Sequence, residues 1–460
     1  MSGETIDLAV IGAGPAGMAA ATVAADLGLD VTVFDENPAP GGQIYRGIEA
    51  VATKRASDLA MLGPAYEAGK TIVSAFRASK AKHQPNTSVW LVQKDRQLGI
   101  ASGGRASMVQ ARRILIASGA QERPVPIPGW TLPGVMLAGA AQGLLKSAGM
   151  VPSGSVVLAG NGPLLYQLGA QLVAAGAKVT ALLETEARYG AALQHLPGAI
   201  ASGGYLAKGL GLISAIRKAG VPIRRNVTGL KAIGKDRVEA VEFAANGRAW
   251  RLDCEVLFLH QGVVSNAQLT LAIPAKHEWN EAQRCWRPVT DAWGNTDLEG
   301  IAVAGDCGGI GGAEAAAHAG RIAAYEAACA LRKIDAAQRD RSAGSDRRAW
   351  KRHLRIRPFL DALYPPSRAI AVPADDVTLC RCEEVTAGEV RAAVRQGGTG
   401  PNQVKSFTRT GMGPCQGRMC ALSVSEVIAD QLGQSMAEVG TYRVRFPIKP
   451  LSVGELASLE

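Results

Sequence analysis

The feature that most constrains this chain is a glycine turn near its start, set between an apolar run and a helical pattern. Gly12, Gly14 and Gly17 follow the apolar run, and alanine and leucine then recur at helical spacing. A second β-prone run ends at Asp35. This order predicts a strand, a tight turn, a helix and a second strand parallel to the first.

Each glycine of this turn has its own physical task. Gly12 must turn tightly, Gly14 must let the backbone approach a pyrophosphate, and Gly17 must let the helix pack on the strand. Free N–H groups and the dipole at the helix amino terminus favour negative charge. Asp35, or Glu36 beside it, is then placed to accept a ribose hydroxyl. We interpret the unit as a dinucleotide-binding fingerprint, with a glycine-rich turn in an ordinary βαβ unit as the alternative.

Two later loops add to this candidate site. A glycine turn at 41–43 can pass close to a flat ring or a phosphate, although a plain surface loop would have the same composition. A buried strand at 114–117 ends in another small-residue turn. The candidate cofactor-binding residues of this part are Gly12, Gly14, Pro15, Ala16, Gly17, Asp35, Glu36, Gly42, Gln43, Ala117, Ser118 and Gly119.

Length and composition predict a soluble protein of two or three domains, because 460 residues suffice for several cores. The chain is 47% hydrophobic and 20% charged, and no apolar run approaches the length of a membrane span. Glu4 and Asp7 stand where a secretory signal needs positive charge. We therefore expect a cytoplasmic protein.

The formal charge of +10 is unevenly spread. Residues 332–357 hold ten Lys or Arg against three Asp. Such a run suits a nucleic-acid patch, contact with an acidic membrane surface, or a solvated linker helix. We favour the solvated helix, because no interleaved aromatic platform accompanies the charge. We accordingly expect no nucleic-acid partner.

The opening pattern recurs in the middle of the chain, but in degenerate form. Gly160 and Gly162 follow a second apolar run, whereas Leu165 replaces the third glycine. The position of the ribose-binding acid holds Leu183, with Glu184 one step later and thus on the other face of the strand. A retained structural domain or an adenosine-phosphate site is therefore favoured over a functional NAD(P)H site.

A late motif makes the assignment of the first unit specific. A buried run ends at Gly305 and Asp306, and a helix follows from Ala313. Together with the earlier loops, it resembles the two-dinucleotide-domain flavoproteins over about residues 5–330. In that family the first unit holds FAD, the second normally holds NAD(P)H, and the aspartate matching Asp306 binds the ribityl chain. Because no cysteine follows Gly42 within helical reach, the disulfide-reductase branch of the family is excluded.

Four of the eight cysteines are clustered late in the chain. One residue separates Cys380 from Cys382, and four separate Cys415 from Cys420. Four thiolates suit a structural zinc or a [2Fe–2S] cluster, and zinc sites favour two to four residues within a pair. The spacing resembles the bacterioferritin-associated ferredoxin type of [2Fe–2S] domain, whose simplest members have two residues in the second pair. We predict a [2Fe–2S] site, with zinc or an empty relic as alternatives.

The predicted fold class is α/β, a two-dinucleotide-binding-domain flavoprotein fold in which an FAD lobe carries an inserted NAD-like lobe. A small α-helical [2Fe–2S] domain, like bacterioferritin-associated ferredoxin, follows at the carboxyl end. The expected domains are 1–122, the first part of the FAD lobe; 123–262, the degenerate NAD(P)-like lobe; 263–335, the second part of the FAD lobe; 336–373, a basic helical linker; 374–432, the [2Fe–2S] domain; and 433–460, a tail.

This order of domains resembles the α subunits of heteromeric amino-acid and opine dehydrogenases over nearly the whole chain. Such relatives act on octopine, nopaline, D-hydroxyproline, proline or sarcosine, and one branch oxidises glycine to cyanide. The resemblance implies that a β subunit related to amino-acid oxidases oxidises the carbon–nitrogen bond at its own flavin. Electrons then pass to a subunit of this kind, in some assemblies through an interface FMN and beside a small γ subunit.

The leading hypothesis is an FAD and [2Fe–2S] electron-transfer subunit of an oxidoreductase acting on CH–NH donors. Its acceptor is expected to be a quinone or an artificial dye, which allows peripheral contact with the inner face of a membrane. A self-sufficient NAD(P)H-dependent flavoprotein reductase is the alternative, and a zinc-stapled, non-catalytic scaffold is a third hypothesis. No residue set clamps a substrate carboxylate, so no catalytic residue is assigned.

Overall fold

The computed structural model describes residues 5–459, which begin with the first lobe, a mixed sheet flanked by helices. The elements are β1 (Ile6–Ile11), α1 (Pro15–Asp26), β2 (Val31–Phe34), α2 (Ile48–Lys54), α3 (Asp58–Leu62), α4 (Pro64–Glu67), α5 (Gly69–Ala78), β3 (Lys82–Gln84), β4 (Ser88–Val92), β5 (Gln97–Ser102), β6 (Arg105–Ile116) and β7 (Ala120–Glu122). β1 pairs in parallel with both β2 and β6, in the sheet order β3-β2-β1-β6-β5-β4. The strand β1 is almost wholly apolar because helices cover the sheet.

The second lobe is a separate parallel sheet with an antiparallel three-stranded sheet beside it. The elements are β8 (Val135–Leu137), α6 (Ala138–Ala148), β9 (Val156–Asn161), α7 (Pro163–Ala174), β10 (Val179–Glu184), α8 (Tyr189–Leu193), α9 (Leu196–Ile200), α10 (Tyr205–Lys218), β11 (Ile223–Arg224), β12 (Thr228–Ile233), β13 (Ala240–Ala245), β14 (Arg248–Asp253) and β15 (Val256–Gln261). The parallel order is β11-β10-β9-β15-β8, and the smaller sheet is β12-β13-β14. The strand–turn–helix repeat predicted from the sequence is therefore present.

The chain then returns to the first lobe, so the second lobe is an insertion. The elements are β16 (Val263–Ser265), α11 (Gln268–Ala272), β17 (His277–Asn280), β18 (Cys285–Pro288), β19 (Ile301–Val303), a 3₁₀ turn (Asp306–Gly308) and α12 (Ala313–Ala330). β19 joins the first sheet in parallel beside β6, and β16 pairs with β7 in a two-stranded antiparallel ribbon. The helices α1 and α12 pack closely against each other, and both begin at the candidate nucleotide site.

The closest approach of these two helices depends on Gly320. A Cβ built on this residue would overlap the carbonyl oxygen of Ala16, so a methyl group would force the helices apart. We expect Gly320→Ala to lower the free energy of unfolding by about 1–3 kcal/mol, the usual cost of overpacking. The matched control is Gly143→Ala in the interior of α6, where an added Cβ meets nothing within 4 Å. Urea denaturation should show a loss for the first variant and none for the second.

The basic run forms the expected helix, and one face of this helix packs on the first lobe while most of its Lys and Arg residues stay exposed. The helices of this segment are α13 (Ala336–Leu354), α14 (Arg357–Leu363) and α15 (Arg368–Ala371). The guanidinium groups of Arg339 and Arg347 lie 4.0 and 3.7 Å from the centre of the Trp293 ring. Asp346 is buried and accepts a hydrogen bond from Arg321. The ring that these two guanidinium groups face thus comes from outside the run, from a residue 46 positions before Arg339.

The cysteine module is a small helical unit with its own apolar core. The elements are β20 (Thr378–Cys380), β21 (Val385–Thr386), α16 (Ala387–Arg395), α17 (Pro401–Thr408), α18 (Ala421–Leu432), α19 (Met436–Val439) and α20 (Val453–Ala457). A capping box begins α16, where the Thr386 side chain accepts from the backbone N–H of Glu389 and the Glu389 carboxylate accepts from that of Thr386. The segment expected as a tail is divided, because Tyr442 packs in the module whereas Val444 and Ile448 pack in the first lobe.

Candidate cofactor sites

The dispersed glycine loops of the first lobe meet at one place. Gly12 has φ +105°, and a Cβ there would lie 2.6 Å from the carbonyl oxygen of Ala117. Gly42 has φ +58°, and its Cβ would lie 2.8 Å from the Cα of Gly14. A Cβ on Gly17 would overlap the carbonyl oxygen of Gly12. Close backbone contact therefore requires glycine at these positions, as the sequence predicts.

Gly14 must lack a side chain for a different reason. Its φ is −77°, which any residue can adopt, and the nearest atom to an added Cβ is the Cα of Gly42 at 3.9 Å. The space is open because Gly14 caps the amino terminus of α1, where Pro15 is the first helical residue. The free N–H groups of α1 therefore face a cradle that suits a pyrophosphate.

Asp35 ties two loops of this site together. The side chain is buried, with 6% of the residue exposed, and Oδ2 accepts a hydrogen bond from the backbone N–H of Ala13. Oδ1 accepts from the backbone and side-chain nitrogens of Asn37 at 2.7 and 2.8 Å. Glu36 points towards solvent and pairs with Lys449 of the carboxyl-terminal segment. The structure thus places Asp35 against the glycine turn, whereas the side chain of Glu36 is directed away from it.

The late motif reaches the same site from β19, which lies beside β6 in the first-lobe sheet. Gly305 has φ +83°, and a Cβ there would lie 2.9 Å from the Cβ of Ala16. Oδ1 of Asp306 accepts hydrogen bonds from the backbone N–H groups of Gly311 and Gly312 at 2.8 and 2.9 Å. These bonds fix the turn before Ala313, the first residue of α12. Two helix amino termini and one carboxylate therefore converge beside the glycine loops.

Lys146 is a residue of this site that sequence reasoning missed. Its Nζ donates to the carbonyl oxygen of Gln43 at 3.1 Å and to Oε1 of Gln142 at 2.7 Å, and the residue is 1% exposed. Burial, aided by the charges of Arg46 and Lys208, lowers the pKa of Lys146 to about 7. Lys146 thus helps to position the 41–43 turn. In the sequence the only signal was a single charged residue, Lys146, in a helix composed mainly of small and apolar residues.

The ribose-acid position of the second lobe is closed. Glu184 is 0% exposed, and its carboxylate accepts hydrogen bonds from the hydroxyl groups of Tyr166 at 2.6 Å and Tyr189 at 3.1 Å. Arg225 pairs with the same carboxylate at 3.1 Å. Leu165, which replaces the third glycine, is fully buried in the core of the lobe. Protein groups therefore already donate to the Glu184 carboxylate, where the hydroxyl groups of a bound ribose would have to donate instead.

The segment between α14 and α15 crosses the carboxyl ends of the second-lobe strands. Nδ2 of Asn161 donates to the carbonyl oxygen of Pro365 at 2.7 Å, and Oε1 of Gln261 accepts from the backbone N–H of Ser367 at 3.0 Å. Tyr364 packs near Tyr166, with ring centres 6.5 Å apart. In folds of this kind a dinucleotide lies at the same edge of the sheet. The chain therefore covers its own second nucleotide cleft.

The four clustered cysteines face one another as two pairs. The Cys380 thiol is hydrogen-bonded to Cys420, and that of Cys382 to Cys415. The bond from Cys420, opposed by burial and supported by backbone N–H groups of Gly411 and nearby residues, lowers the pKa of Cys380 to about 5. Within residues 5–459, no three His, Cys, Asp or Glu side chains form a ready-made metal site. The assignment of these thiols as metal ligands stays a prediction.

Two glutamines, Gln121 of β7 and Gln268 of α11, join the first lobe to the cysteine module. Nε2 of Gln121 donates to the carbonyl oxygen of Arg418 at 2.9 Å, and Nε2 of Gln268 donates to that of Gln416 at 2.7 Å. Ser118, in the loop before β7, donates to the carbonyl oxygen of Asn266 at 3.0 Å. The loop 415–420 is therefore held directly against the first lobe. Nothing in the sequence spacing singled out these glutamines.

Comparison with known families divides the chain as the structure does. Residues 6–329 match the pyridine nucleotide-disulphide oxidoreductase family, which indicates FAD binding, and residues 378–459 match the sarcosine oxidase A3 domain. The second match is consistent with an iron–sulfur domain. In the described part of the chain, no helix is both long enough and apolar enough to cross a membrane. The predicted fold class is confirmed.

Proteins similar over the whole chain are subunits of heteromeric enzymes. An opine oxidase subunit of Agrobacterium tumefaciens is 44% identical, over 98% of this chain and 92% of that protein. The hydrogen cyanide synthase subunit HcnB of Pseudomonas aeruginosa is 32% identical, over 98% of each. The crystal structure of L-proline dehydrogenase from P. horikoshii shares the fold, with a TM-score of 0.71, 19% identity, and coverage of 98% of this chain and 79% of that one.

These relatives confirm the resemblance inferred from the motifs and do not favour the self-sufficient reductase alternative. They also imply partner subunits, because they are themselves named as subunits. This chain therefore belongs to the family of flavin-dependent oxidoreductase subunits that includes those of opine oxidase and of hydrogen cyanide synthase.

Proposed function

We propose that this chain carries electrons between FAD in the first lobe and a [2Fe–2S] cluster in the cysteine module. The observation that carries the proposal is the contact between the first lobe and the loop that holds Cys415 and Cys420. Gln121 lies on the strand after the flavin-site loop and hydrogen-bonds the carbonyl oxygen of Arg418, which stands between Cys415 and Cys420. A short, rigid contact favours electron transfer because tunnelling rates fall steeply with distance.

The first lobe offers a complete set of groups for FAD. The glycine turn and the amino terminus of α1 would hold the pyrophosphate, and Asp35 or Glu36 the ribose. Asp306 would hold the ribityl chain, and the amino terminus of α12 at Ala313 would favour negative charge beside it. When bound, FAD supplies two-electron uptake with release of single electrons.

The cysteine module offers thiolates and N–H groups for the cluster. Cys380, Cys382, Cys415 and Cys420 would be the ligands. The backbone N–H of Gly411 already donates to the sulfur of Cys380, and such bonds raise the reduction potential of iron–sulfur centres. A Cβ on Gly413 would overlap that of Cys382, so only glycine lets the two ligand loops approach. Zinc is the alternative occupant.

The substrate is proposed to be an opine, D-hydroxyproline or a related amino or imino acid. The support is the 44% identity with a protein named as an opine oxidase subunit. We further propose that a β subunit resembling amino-acid oxidases oxidises the carbon–nitrogen bond, with an FMN at the subunit interface and a small γ subunit as further components. Electrons would leave to a quinone, with the complex in the cytoplasm or at the inner face of the membrane.

The second lobe is proposed to be a structural platform that binds no dinucleotide. Glu184 is paired inside the lobe, and the backbone at Pro365 and Ser367 occupies the mouth of the cleft. The adenosine-phosphate or NAD(P) site that the sequence left open would require this segment to move. The covalent link of the segment to the cysteine module suggests that the lobe fixes the position of that module.

Co-expression with a β subunit of the amino-acid oxidase type tests the proposed function. The purified complex should reduce an artificial dye with octopine, nopaline, D-hydroxyproline or proline, and this chain alone should not. The isolated chain should keep its yellow colour when NADH is added, because the second lobe is covered. Bleaching of the flavin by NADH in the isolated chain would contradict the proposal and support the reductase alternative.

A further inference from the structure

The exposed face of α13, with the residue that caps its carboxyl end, carries a row of cations that we call the arginine stripe. Its members are Arg341, Arg348, Lys351, Arg352 and Arg355, and all five are exposed. The four arginines recur at intervals of seven, four and three residues, so they lie above one another on one side of the helix. With a rise of about 1.5 Å per residue, the stripe is about 21 Å long.

The cations of the arginine stripe have no partners within the described part of the chain. None of them forms an ion pair or a side-chain hydrogen bond within residues 5–459. Asp346 is the one acid between 341 and 355, and it is buried on the opposite face of α13 beside Arg321. Like charges three and four residues apart repel one another. This face of the helix therefore gains most from an acidic surface that lies against it.

Exposed apolar side chains adjoin the carboxyl end of the arginine stripe. A Cβ on Gly198 of α9 would lie 3.1 Å from the carbonyl oxygen of Arg355, so α9 meets the stripe directly. Ile200, at the end of α9, is 64% exposed. Leu193 of α8 is 63% exposed, and α8 packs on α14 as α9 does. Arginine is enriched in protein–protein interfaces whereas lysine is depleted, so a stripe with four arginines and one lysine favours a protein partner over a bilayer.

The arginine stripe ends beside the proposed flavin site. His353 follows Arg352, and its Nδ1 lies 3.3 Å from Oε2 of Glu314. The hydroxyl group of Tyr205 donates to the same carboxylate oxygen at 2.6 Å. Glu314 is the second residue of α12, whose amino terminus lies at the glycine loops. A protein that covers the stripe therefore lies close to the end of α12 that faces the cofactor.

We propose that the arginine stripe is the docking surface for an acidic face of the β subunit, with Leu193 and Ile200 as the apolar part of the contact. The inference rests on the proposed function, in which the β subunit supplies electrons to this chain. Docking along α13 brings that subunit beside the amino terminus of α12, where electrons would reach FAD. Attraction between opposite charges speeds the association, and salt weakens this attraction by screening it.

The association of purified β subunit with the immobilised full-length holoprotein tests the docking surface. We expect the variant Arg341→Glu/Arg348→Glu to associate at least about tenfold more slowly than the wild type at about 0.05 M NaCl, and we expect the difference to shrink at about 0.5 M. The matched control is Arg105→Glu/Arg248→Glu, because these two arginines are also exposed but lie on β6 and β14. This control has the same net charge and should associate within about twofold of the wild-type rate.

Equal association rates of the wild type and the stripe variant, or no binding of the β subunit to the wild type, would overturn the proposal. Sedimentation of the isolated holoprotein with phosphatidylglycerol vesicles, lost in the stripe variant while its association with the β subunit is unchanged, would assign the stripe to an anionic bilayer and would also overturn it. The neutral variant Arg341→Gln/Arg348→Gln should show a smaller loss in the same direction, and circular dichroism checks the fold of each variant.

Dye reduction by the complex separates this inference from the proposed function. A complex that forms through the stripe but does not reduce the dye contradicts the proposed function alone. An active complex that forms equally fast with the stripe variant contradicts the docking surface alone.

Discussion

Replacing Cys382 with serine should abolish iron binding while leaving the flavin in place. Cys382 is the exposed member of the four clustered cysteines, so its loss opens no cavity in the core. A [2Fe–2S] cluster needs all four thiolates, and we expect iron to fall from about two atoms per chain to near zero. Metal analysis and the visible spectrum of anaerobically purified protein measure the change. FAD content should stay at the wild-type value, because the glycine loops lie in the other lobe.

The matched control for this variant is Cys329→Ser. Cys329 lies on α12, outside the module, and is only half-buried. This control should keep both iron and flavin. Wild-type iron content in Cys382→Ser would contradict the assignment of Cys382 as a ligand, and zinc in place of iron in the wild type would support the scaffold hypothesis. Loss of both cofactors together would indicate unfolding, which circular dichroism can exclude.

Replacing Gly14 with alanine should release FAD without unfolding the first lobe. The backbone at Gly14 has φ −77°, so alanine causes no strain, and its methyl group would meet only the Cα of Gly42 at 3.9 Å. That methyl group would fill the space where the pyrophosphate approaches the amino terminus of α1. We expect FAD to bind at least about tenfold more weakly, which is about 1.4 kcal/mol of binding free energy. Titration of the apoprotein with FAD, followed by flavin fluorescence, measures the loss.

Gly204→Ala is the matched control for this variant. Gly204 also caps the amino terminus of a helix with negative φ, −69°, and an added Cβ meets nothing within 4 Å. Its helix, α10, lies in the second lobe, so FAD affinity should not change. If Gly14→Ala retained wild-type affinity, the pyrophosphate would not lie over Gly14. The first lobe would then bind its cofactor in another way.

Much of the first lobe could be predicted because its constraints are local. Gly12 and Gly17 avoid clashes with the backbone, and Gly14 leaves room for a ligand. The spacing of the three glycines alone predicts these roles. The degeneracy of the second lobe could also be predicted, because Leu165 and Glu184 depart from that spacing at defined positions. In both cases one short strand–turn–helix unit carries the information.

The parts that could not be predicted depend on contacts between distant segments. The basic helix was expected to be solvated, yet Trp293 supplies a ring for Arg339 and Arg347. Lys146 reaches the 41–43 turn from a helix about a hundred residues away. The cover over the second cleft and the glutamine contacts to the cysteine module likewise join segments far apart in the chain.

The amino-acid sequence by itself determined the two strand–turn–helix units, the degenerate glycine pattern of the second and the four clustered thiols, because backbone sterics and ligand chemistry act over a few neighbouring residues. Only the tertiary structure decided where the cysteine module docks and which segment covers the second cleft. Those features arise from hydrogen bonds such as that of Gln121 to Arg418, which join residues about three hundred positions apart. No local pattern encodes a pairing over that distance.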